Sequence, residues 1–158
     1  MAERKAEKAE KTPTFSAAER AAMKEYAAEK RRAASREKKE AKLAADAQAF
    51  ADAVAALPEP DRTIAERFDA IVRAAAPDLL PRTMYGMPAF SDGQKVLVFL
   101  QPASKFGVRY ATVGFQDNAA LDDGPMWATS YAVLDIDDAV AARLDELVRR
   151  AVAGATEG

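Results

Sequence analysis

Three stretches of the chain carry apolar residues at the spacing of an amphipathic helix. In each stretch the apolar positions recur mainly in steps of three and four residues, which places them on one side of a helix. A proline or glycine follows each stretch and ends the predicted helix. The stretches consist of Leu43, Ala47, Phe50, Val54 and Leu57; of Ile64, Phe68, Ile71, Val72 and Ala75; and of Val140, Leu144, Leu147, Val148 and Ala151.

The segment between the second and third helices is rich in β-branched and aromatic residues and predicts strands. Ser91-Asp92-Gly93 predicts a hairpin turn, and Gly86 with Pro88 predicts a β-bulge in the first strand. Strands joined by short turns are antiparallel, so we predict an α+β domain with a sheet of four to five strands and helices on one face. The predicted strands are Thr83–Phe90, Gln94–Gln101, Lys105–Thr112 and Trp127–Leu134.

The N-terminal part of the chain is dominated by Ala, Glu, Lys and Arg. Residues 1–13 lack core-forming side chains beyond Met1 and are predicted to be disordered. Ser16 and Glu19 have the spacing of a capping box, so a helix is predicted to begin there and to continue with high propensity to Lys42. We therefore predict a basic helical extension in residues 1–42, the α+β domain in residues 43–153 and a disordered tail in residues 154–158.

The 158-residue chain contains no histidine and no cysteine. These absences exclude Ser-His-Asp triads, thiolate nucleophiles and zinc sites built from histidine or cysteine. The sequence also has no P-loop, nucleophile elbow or dinucleotide-binding glycine pattern. Carboxylate, lysine and tyrosine chemistry, oxygen-ligand metal sites and plain binding stay open. We predict a protein without catalytic activity that requires no cofactor.

The sequence shows neither a secretory signal nor a membrane-spanning segment. The N-terminal residues are charged with no apolar run behind them, which does not match a secretory signal. No apolar run approaches the roughly 18 residues of a membrane span. We expect a cytoplasmic protein whose partner is a small molecule or another protein and not a membrane.

Aromatic residues cluster in the strand region and suggest a binding site. The predicted bulge would direct side chains into a pocket mouth, and tyrosine or tryptophan with a polar tip suits its rim. The alternative is a sheet core of aromatic cross-strand pairs, which strands favour in any case. The candidate ligand-binding residues are Tyr85, Met87, Phe90, Tyr110 and Trp127.

Carboxylates flank the last predicted strand. Clustered carboxylates supply the oxygen ligands that hard metal ions prefer, although their spacing matches no calcium loop. The alternative is local: Asp135 or Asp137 caps the last helix, Asp138 complements its dipole, and Asp122-Asp123-Gly124 forms a turn. The candidate metal ligands are Asp122, Asp123, Asp135, Asp137 and Asp138.

The net charge of −2 conceals two parts of opposite sign. Residues 1–42 hold 13 basic and 8 acidic residues, whereas the remainder holds 10 basic and 17 acidic residues. The basic part could bind nucleic acid through phosphates, weakly and without sequence preference, or be an ordinary solvated helix. The candidate nucleic-acid-binding residues are Lys30, Arg31, Arg32, Arg36, Lys38, Lys39 and Lys42.

Several motifs resemble one known family. Ala76-Pro77-Asp78-Leu79, Tyr85–Phe90, Arg109–Phe115, Leu121–Gly124 and Met126–Ser130 resemble the YdhG-like family, also called domain of unknown function 1801, over about residues 50–152. The resemblance implies helices packed on an antiparallel sheet and a role without an assigned activity. One branch of the family is described as a frataxin-like iron chaperone that uses acidic surface residues. Iron is therefore the metal that the resemblance implies for the candidate carboxylates.

Overall fold

The computed structural model of the protein describes residues 14–154, so the predictions of disorder for residues 1–13 and for the tail beyond residue 154 lie outside the described residues. The chain divides into two units, Met1–Lys42 and Leu43–Gly158, and the boundary between them falls within the first helix. The elements in chain order are α1 (Ala17–Ala55), α2 (Asp61–Ala75), β1 (Leu80–Met84), β2 (Met87–Ser91), β3 (Val96–Gln101), α3 (Ala103–Phe106), β4 (Ala111–Phe115), β5 (Ser130–Val133) and α4 (Asp138–Ala153).

Helix α1 begins at the predicted capping box. The Ser16 hydroxyl accepts a hydrogen bond from the backbone N–H of Glu19 at 3.1 Å, which satisfies one of the N–H groups that lack a helical partner. The helix continues without a break past Lys42, so the extension and the first amphipathic stretch form one helix. Between residues 17 and 42 almost every side chain is exposed, as the weak apolar pattern predicts.

The five strands form one antiparallel sheet in the order β1-β2-β3-β4-β5. Each strand pairs with the strands next to it in the chain, as the short predicted turns require. Helices α2 and α4 and the Leu43–Ala55 part of α1 cover one face of this sheet. The fold is therefore the predicted α+β fold, with helices on one side of an antiparallel sheet.

The core lies between that sheet face and the helices. Phe90 on β2 is fully buried, and its ring centroid lies 5.0 Å from that of Phe50 on α1 and 5.8 Å from that of Phe68 on α2. Leu144 and Val148 on α4 are also buried, which confirms the apolar side predicted for that helix. The predicted helical periodicity thus identified the residues that hold the domain together.

The predicted bulge between Thr83 and Phe90 is wrong, because a hairpin turn occupies this segment. Met84 pairs with Met87, so Tyr85 and Gly86 alone form the turn. Both have positive φ, 50° and 76°, which is the backbone of a type I′ hairpin turn. The β-bulge of this region lies instead at Phe90/Ser91, where β2 pairs with β3.

The predicted strand Lys105–Thr112 is also wrong in its first half. Residues Ala103–Phe106 form the short helix α3, and Gly107 ends it in a left-handed conformation with φ 62°. The buried carboxylate of Asp61 accepts hydrogen bonds from the backbone N–H of Ser104, at 2.9 Å, and from its hydroxyl. This contact between residues 43 positions apart holds the segment as a helical turn against α2.

Candidate functional site

The sheet register defines two opposite ends of the domain. The Tyr85 end carries the Tyr85–Gly86 turn, the connection 102–110 and the residues that follow β5. The Trp127 end carries the β2–β3 turn at residues 92–95 and the β4–β5 connection at residues 116–129. Strands of five or six residues separate the two ends by roughly 15–20 Å.

Two of the five candidate ligand-binding residues lie in the interior. Phe90 is 0% exposed and belongs to the core, and Met87 is 5% exposed on the opposite face of β2. Neither side chain can reach a ligand at the surface, so their assignment to a pocket mouth is corrected. The error follows from the misplaced bulge. Because β2 is a regular strand that begins directly after a tight turn, both side chains are buried, one on each face of the sheet.

The other three candidate residues do not share one rim. Tyr85, which is 88% exposed, and Tyr110 both lie at the Tyr85 end. Trp127 lies at the other end, in the β4–β5 connection. The structure therefore does not bring Trp127 together with the two tyrosines, and the predicted aromatic rim is divided between opposite ends of the sheet.

An open cavity of about 500 Å³ lies beside Trp127. Its base is the buried Phe115 at the end of β4, and its walls come from the connection that returns to β5. Trp127 is 39% exposed, so part of the indole is available to a ligand. The cavity thus combines apolar and polar groups, namely Phe115, Gln116, Asp117, Met126, Trp127 and Thr129.

An ion pair fixes the charge at the edge of this cavity. The ammonium of Lys95, in the β2–β3 turn, donates to the carboxylate of Asp117. This hydrogen bond and the positive charge of Lys95 hold the pKa of the Asp117 carboxyl below its ordinary value. The carboxylate is therefore ionised at neutral pH and already paired, which limits its own attraction for a cationic ligand.

The β2–β3 turn next to the cavity is held by Asp92. One carboxylate oxygen accepts from the backbone N–H groups of Lys95 and Gln94, each at 2.9 Å, and the other accepts from the Asn118 amide at 3.0 Å. The Lys95 N–H, followed by Asn118 and the Gln94 N–H, holds the pKa of Asp92 below its ordinary value. Asp92 thereby ties the turn to the β4–β5 connection.

The candidate metal ligands are dispersed. Asp137 accepts a hydrogen bond from the backbone N–H of Val140 at 2.9 Å and caps α4, as the local alternative predicts, while Asp138 lies in the first turn of that helix. Asp122 and Asp123 follow Ala120, whose N–H donates to Ala151 near the other end of α4. Asp135 precedes α4 and is exposed.

The iron-chaperone hypothesis stays a prediction. Within residues 14–154, no three acidic side chains lie close enough together to hold a metal ion. Three ligands or more are the usual minimum for a protein-bound cation of this kind.

The basic residues of α1 form a stripe that the sequence analysis identified only in part. Cations separated by four, seven, seven and four residues lie along one side of the helix. The five acidic residues between positions 17 and 42 all lie at least about 120° around the helix from the centre of this stripe. The stripe, called here the α1 basic stripe, consists of Arg20, Lys24, Arg31, Lys38 and Lys42.

Four of the nominated cations lie outside the α1 basic stripe: Lys30, Arg32, Arg36 and Lys39. All four are exposed. Lys30 approaches the ring of Tyr26, with its ammonium 5.9 Å from the ring centroid. Arg20 and Lys24 were missed because only the dense run after residue 29 was considered, although the helical period was readable from the sequence.

The chain matches no family model, no curated protein and no solved structure in comparisons with known proteins. The YdhG-like and frataxin-like resemblances therefore stay predictions. In the part of the chain from residue 14 to residue 154, no helix has both the length and the apolar character needed to cross a membrane.

Proposed function

We propose that the domain in residues 43–153 is a non-catalytic small-molecule-binding module whose site is the Trp127 cavity. The observation that carries the proposal is an open cavity of about 500 Å³ with a half-exposed indole on its wall. That volume falls within the range of about 300–1,000 Å³ common to sites for small ligands. The absence of histidine and cysteine from the sequence supports binding over catalysis.

The residues around the cavity favour a flat, partly apolar ligand. The partly exposed indole of Trp127 offers apolar surface for stacking, and the buried Phe115 lies at the base of the cavity. The Thr129 hydroxyl and the Gln116 carbonyl oxygen supply a small number of hydrogen-bonding groups, the usual source of orientation in such sites, while the Gln116 amide nitrogen donates to the Met84 sulfur at 3.5 Å. Because Lys95 already neutralises Asp117, we expect a ligand without a large net charge.

The single tryptophan of the chain reports directly on this site. We would screen flat heteroaromatic compounds by the change in Trp127 fluorescence and measure affinity by calorimetry. The variant Trp127→Ala should lower the affinity of a hit by roughly tenfold or more, because stacking on an aromatic ring contributes about 1–3 kcal/mol. Thr129→Val should lower it by a smaller factor.

The matched control is Tyr85→Ala, which removes an exposed aromatic side chain at the opposite end of the sheet. This variant should leave the affinity unchanged. If Trp127→Ala binds the ligand as tightly as the natural sequence while remaining folded, the Trp127 cavity is not the site. A hit that loses affinity only in the Tyr85→Ala variant would move the site to the Tyr85 end.

The α1 basic stripe favours a second function, non-specific binding to nucleic acid. Cations on one side of the helix, with the acidic residues between positions 17 and 42 on other sides, form the surface that a line of phosphates requires. No aromatic side chain interrupts the stripe, so base stacking is not offered and binding should depend on charge alone.

The test compares two triple variants with the same change in net charge. Lys24→Gln, Arg31→Gln and Lys38→Gln remove three charges from the stripe, whereas Lys30→Gln, Arg32→Gln and Arg36→Gln remove three from elsewhere on α1. The stripe variant should bind duplex DNA more weakly and show a smaller dependence of affinity on salt, by about three charges. Equal effects of both variants would show that the stripe is not the binding surface.

A further inference from the structure

A second cavity, smaller and more apolar, lies at the Trp127 end of the domain, between the ends of two helices. It has a volume of about 250 Å³. Its walls are the last residues of α2, the link from α2 to β1, Leu97 on β3 and Val152 at the end of α4. Two aspartates lie at its edge, and we call it the Asp78 crevice after its lining residues Ala76, Asp78, Leu79, Asp92, Leu97 and Val152.

The apolar walls are built from side chains that the core holds in place. Leu97 is 1% exposed and Ala76 is 6% exposed, so the inner wall is fixed by packing. Leu79 and Val152 are partly buried against the same core. The space equals that of about eight water molecules, which suits a ligand of roughly six to eight heavy atoms.

Two carboxylates and the C-terminal ends of two helices place negative charge around the crevice. Asp78 and Asp92 contribute carboxylates, and Asp92 is held in place by the backbone N–H groups of the β2–β3 turn. The crevice also lies at the C-terminal ends of α2 and α4, where the helix dipole places partial negative charge.

Two nearby cations, Arg73 and Lys95, pair with carboxylates that do not line the crevice. The guanidinium of Arg73, in the last turn of α2, pairs with Asp69 at 2.5 Å and lies over the rings of Phe50 and Phe90. Lys95 pairs with Asp117. None of the residues that line the crevice is basic. No lining residue therefore neutralises Asp78 and Asp92 from within the crevice. Outside it, Arg150 lies in the last turn of α4, and the charge of Lys95 contributes to the lowered pKa of Asp92.

We infer that the Asp78 crevice binds a primary alkylammonium group, with the alkyl chain against Leu79, Leu97 and Val152 and the ammonium beside Asp78 and Asp92. An apolar chain gains by leaving water, and the ammonium gains from the carboxylates and the helix ends. A neutral alkyl compound would gain only the free energy of burying its chain. An anion would be repelled by the carboxylates. The inference is independent of the Trp127 cavity.

The first test uses three probes of equal chain length with the full-length protein: hexylammonium, hexan-1-ol and hexanoate. Titration calorimetry and amide chemical shifts should show hexylammonium binding several-fold more tightly than hexan-1-ol, and hexanoate binding weakest. The shifts should centre on residues 75–79 and 150–152. Equal affinities of the amine and the alcohol, or shifts elsewhere, would overturn the inference.

Variants distinguish the contribution of the Asp78 charge to binding from that of the apolar space. Asp78→Asn should weaken hexylammonium by roughly three- to tenfold and leave hexan-1-ol unchanged. Val152→Phe should fill the space and weaken both. Asp135→Asn, an equal charge change at the Tyr85 end, and Trp127→Ala should alter neither. Thermal unfolding checks that each variant is folded, and Leu79→Phe provides a second filling variant should Val152→Phe unfold.

The alkylammonium could belong to a free amine or to a lysine side chain. A short lysine-containing peptide and its acetyl-lysine counterpart distinguish these sources in competition with hexylammonium. Displacement by the lysine peptide alone would show that the crevice binds a lysine side chain. If neither peptide displaces hexylammonium, the ligand is a free amine. Displacement by both peptides equally would overturn the inference, because charge would then be irrelevant.

Discussion

Tyr85 adopts a backbone conformation that its residue type disfavours. Its φ of 50° lies in the left-handed region, which costs an ordinary L-residue about 1–2 kcal/mol. The side chain recovers little of this by packing, since it is 88% exposed. The turn itself is held by the Lys105 ammonium, which donates to the Tyr85 carbonyl at 3.1 Å. Stability alone therefore does not explain a tyrosine at this position.

Replacing Tyr85 with asparagine should stabilise the domain. Asparagine tolerates positive φ, and Asn-Gly is the preferred pair for a type I′ turn. We expect Tyr85→Asn to raise the free energy of unfolding by about 0.5–1 kcal/mol, measured by denaturant titration. Tyr85→Ala, which lacks this tolerance, should give no gain. A less stable Tyr85→Asn would mean that the exposed ring makes stabilising contacts.

Gly114 on β4 lies directly under an aromatic ring. A Cβ atom at this position would overlap the ring of Phe99, its cross-strand neighbour on the face away from the helices. Gly114→Ala should therefore cost about 1–3 kcal/mol in unfolding free energy, the usual cost of overpacking. In a Phe99→Ala background the same change should cost much less. A double-mutant cycle with no coupling would contradict this explanation.

At the scale of the element, the cap of α4 accounts for one of the nominated carboxylates. The Asp137 side chain satisfies the N–H of Val140, so Asp137→Ala should lower the unfolding free energy by about 0.5–2 kcal/mol. Asp137→Asn should cost little because asparagine also caps well. Asp135→Ala should change stability by less than about 0.5 kcal/mol. Similar losses in both alanine variants would argue against the cap.

Elements whose signal is local were predictable from the sequence. Phe68 and Leu144 occupy buried sides of α2 and α4 because a 3.6-residue period reports burial directly. Helix α3 was missed because its stability depends on Asp61, 43 residues away, and no local pattern records that hydrogen bond. The Tyr85–Gly86 turn was missed because tyrosine is rare at positive φ.

The candidate site likewise combines features that a local pattern predicts with features that depend on distant contacts. Trp127 could be nominated from the sequence because an amphipathic aromatic residue suits a rim. Its separation from Tyr110 could not be predicted, since it depends on which ends of the strands each connection joins. The connection that lines the Trp127 cavity is positioned by tertiary contacts, including the Ala120 N–H donating to the Ala151 carbonyl, which no local pattern records.

At the scale of the whole molecule, the two units carry different kinds of interaction. Every buried apolar residue in the described part of the chain lies at Phe50 or beyond, whereas residues 17–42 present exposed charge. Removal of residues 1–42 should therefore leave a domain that unfolds cooperatively. The uncapped helix start at Leu43 should cost about 1 kcal/mol, which for a chain of this length lowers Tm by roughly 4 °C.

The same truncation distinguishes the two proposed functions in one experiment. If the α1 basic stripe binds DNA, the chain of residues 43–158 should lose salt-dependent binding to duplex DNA. It should retain the fluorescence response of Trp127 to a small-molecule ligand. Retained DNA binding would place the phosphate contacts in residues 43–158, whose net charge of −7 opposes that outcome. A non-cooperative transition would instead show that residues 17–42 are needed for folding. Loss of DNA binding with a retained Trp127 response would show that the two parts of opposite charge, which the total of −2 conceals, carry separate functions.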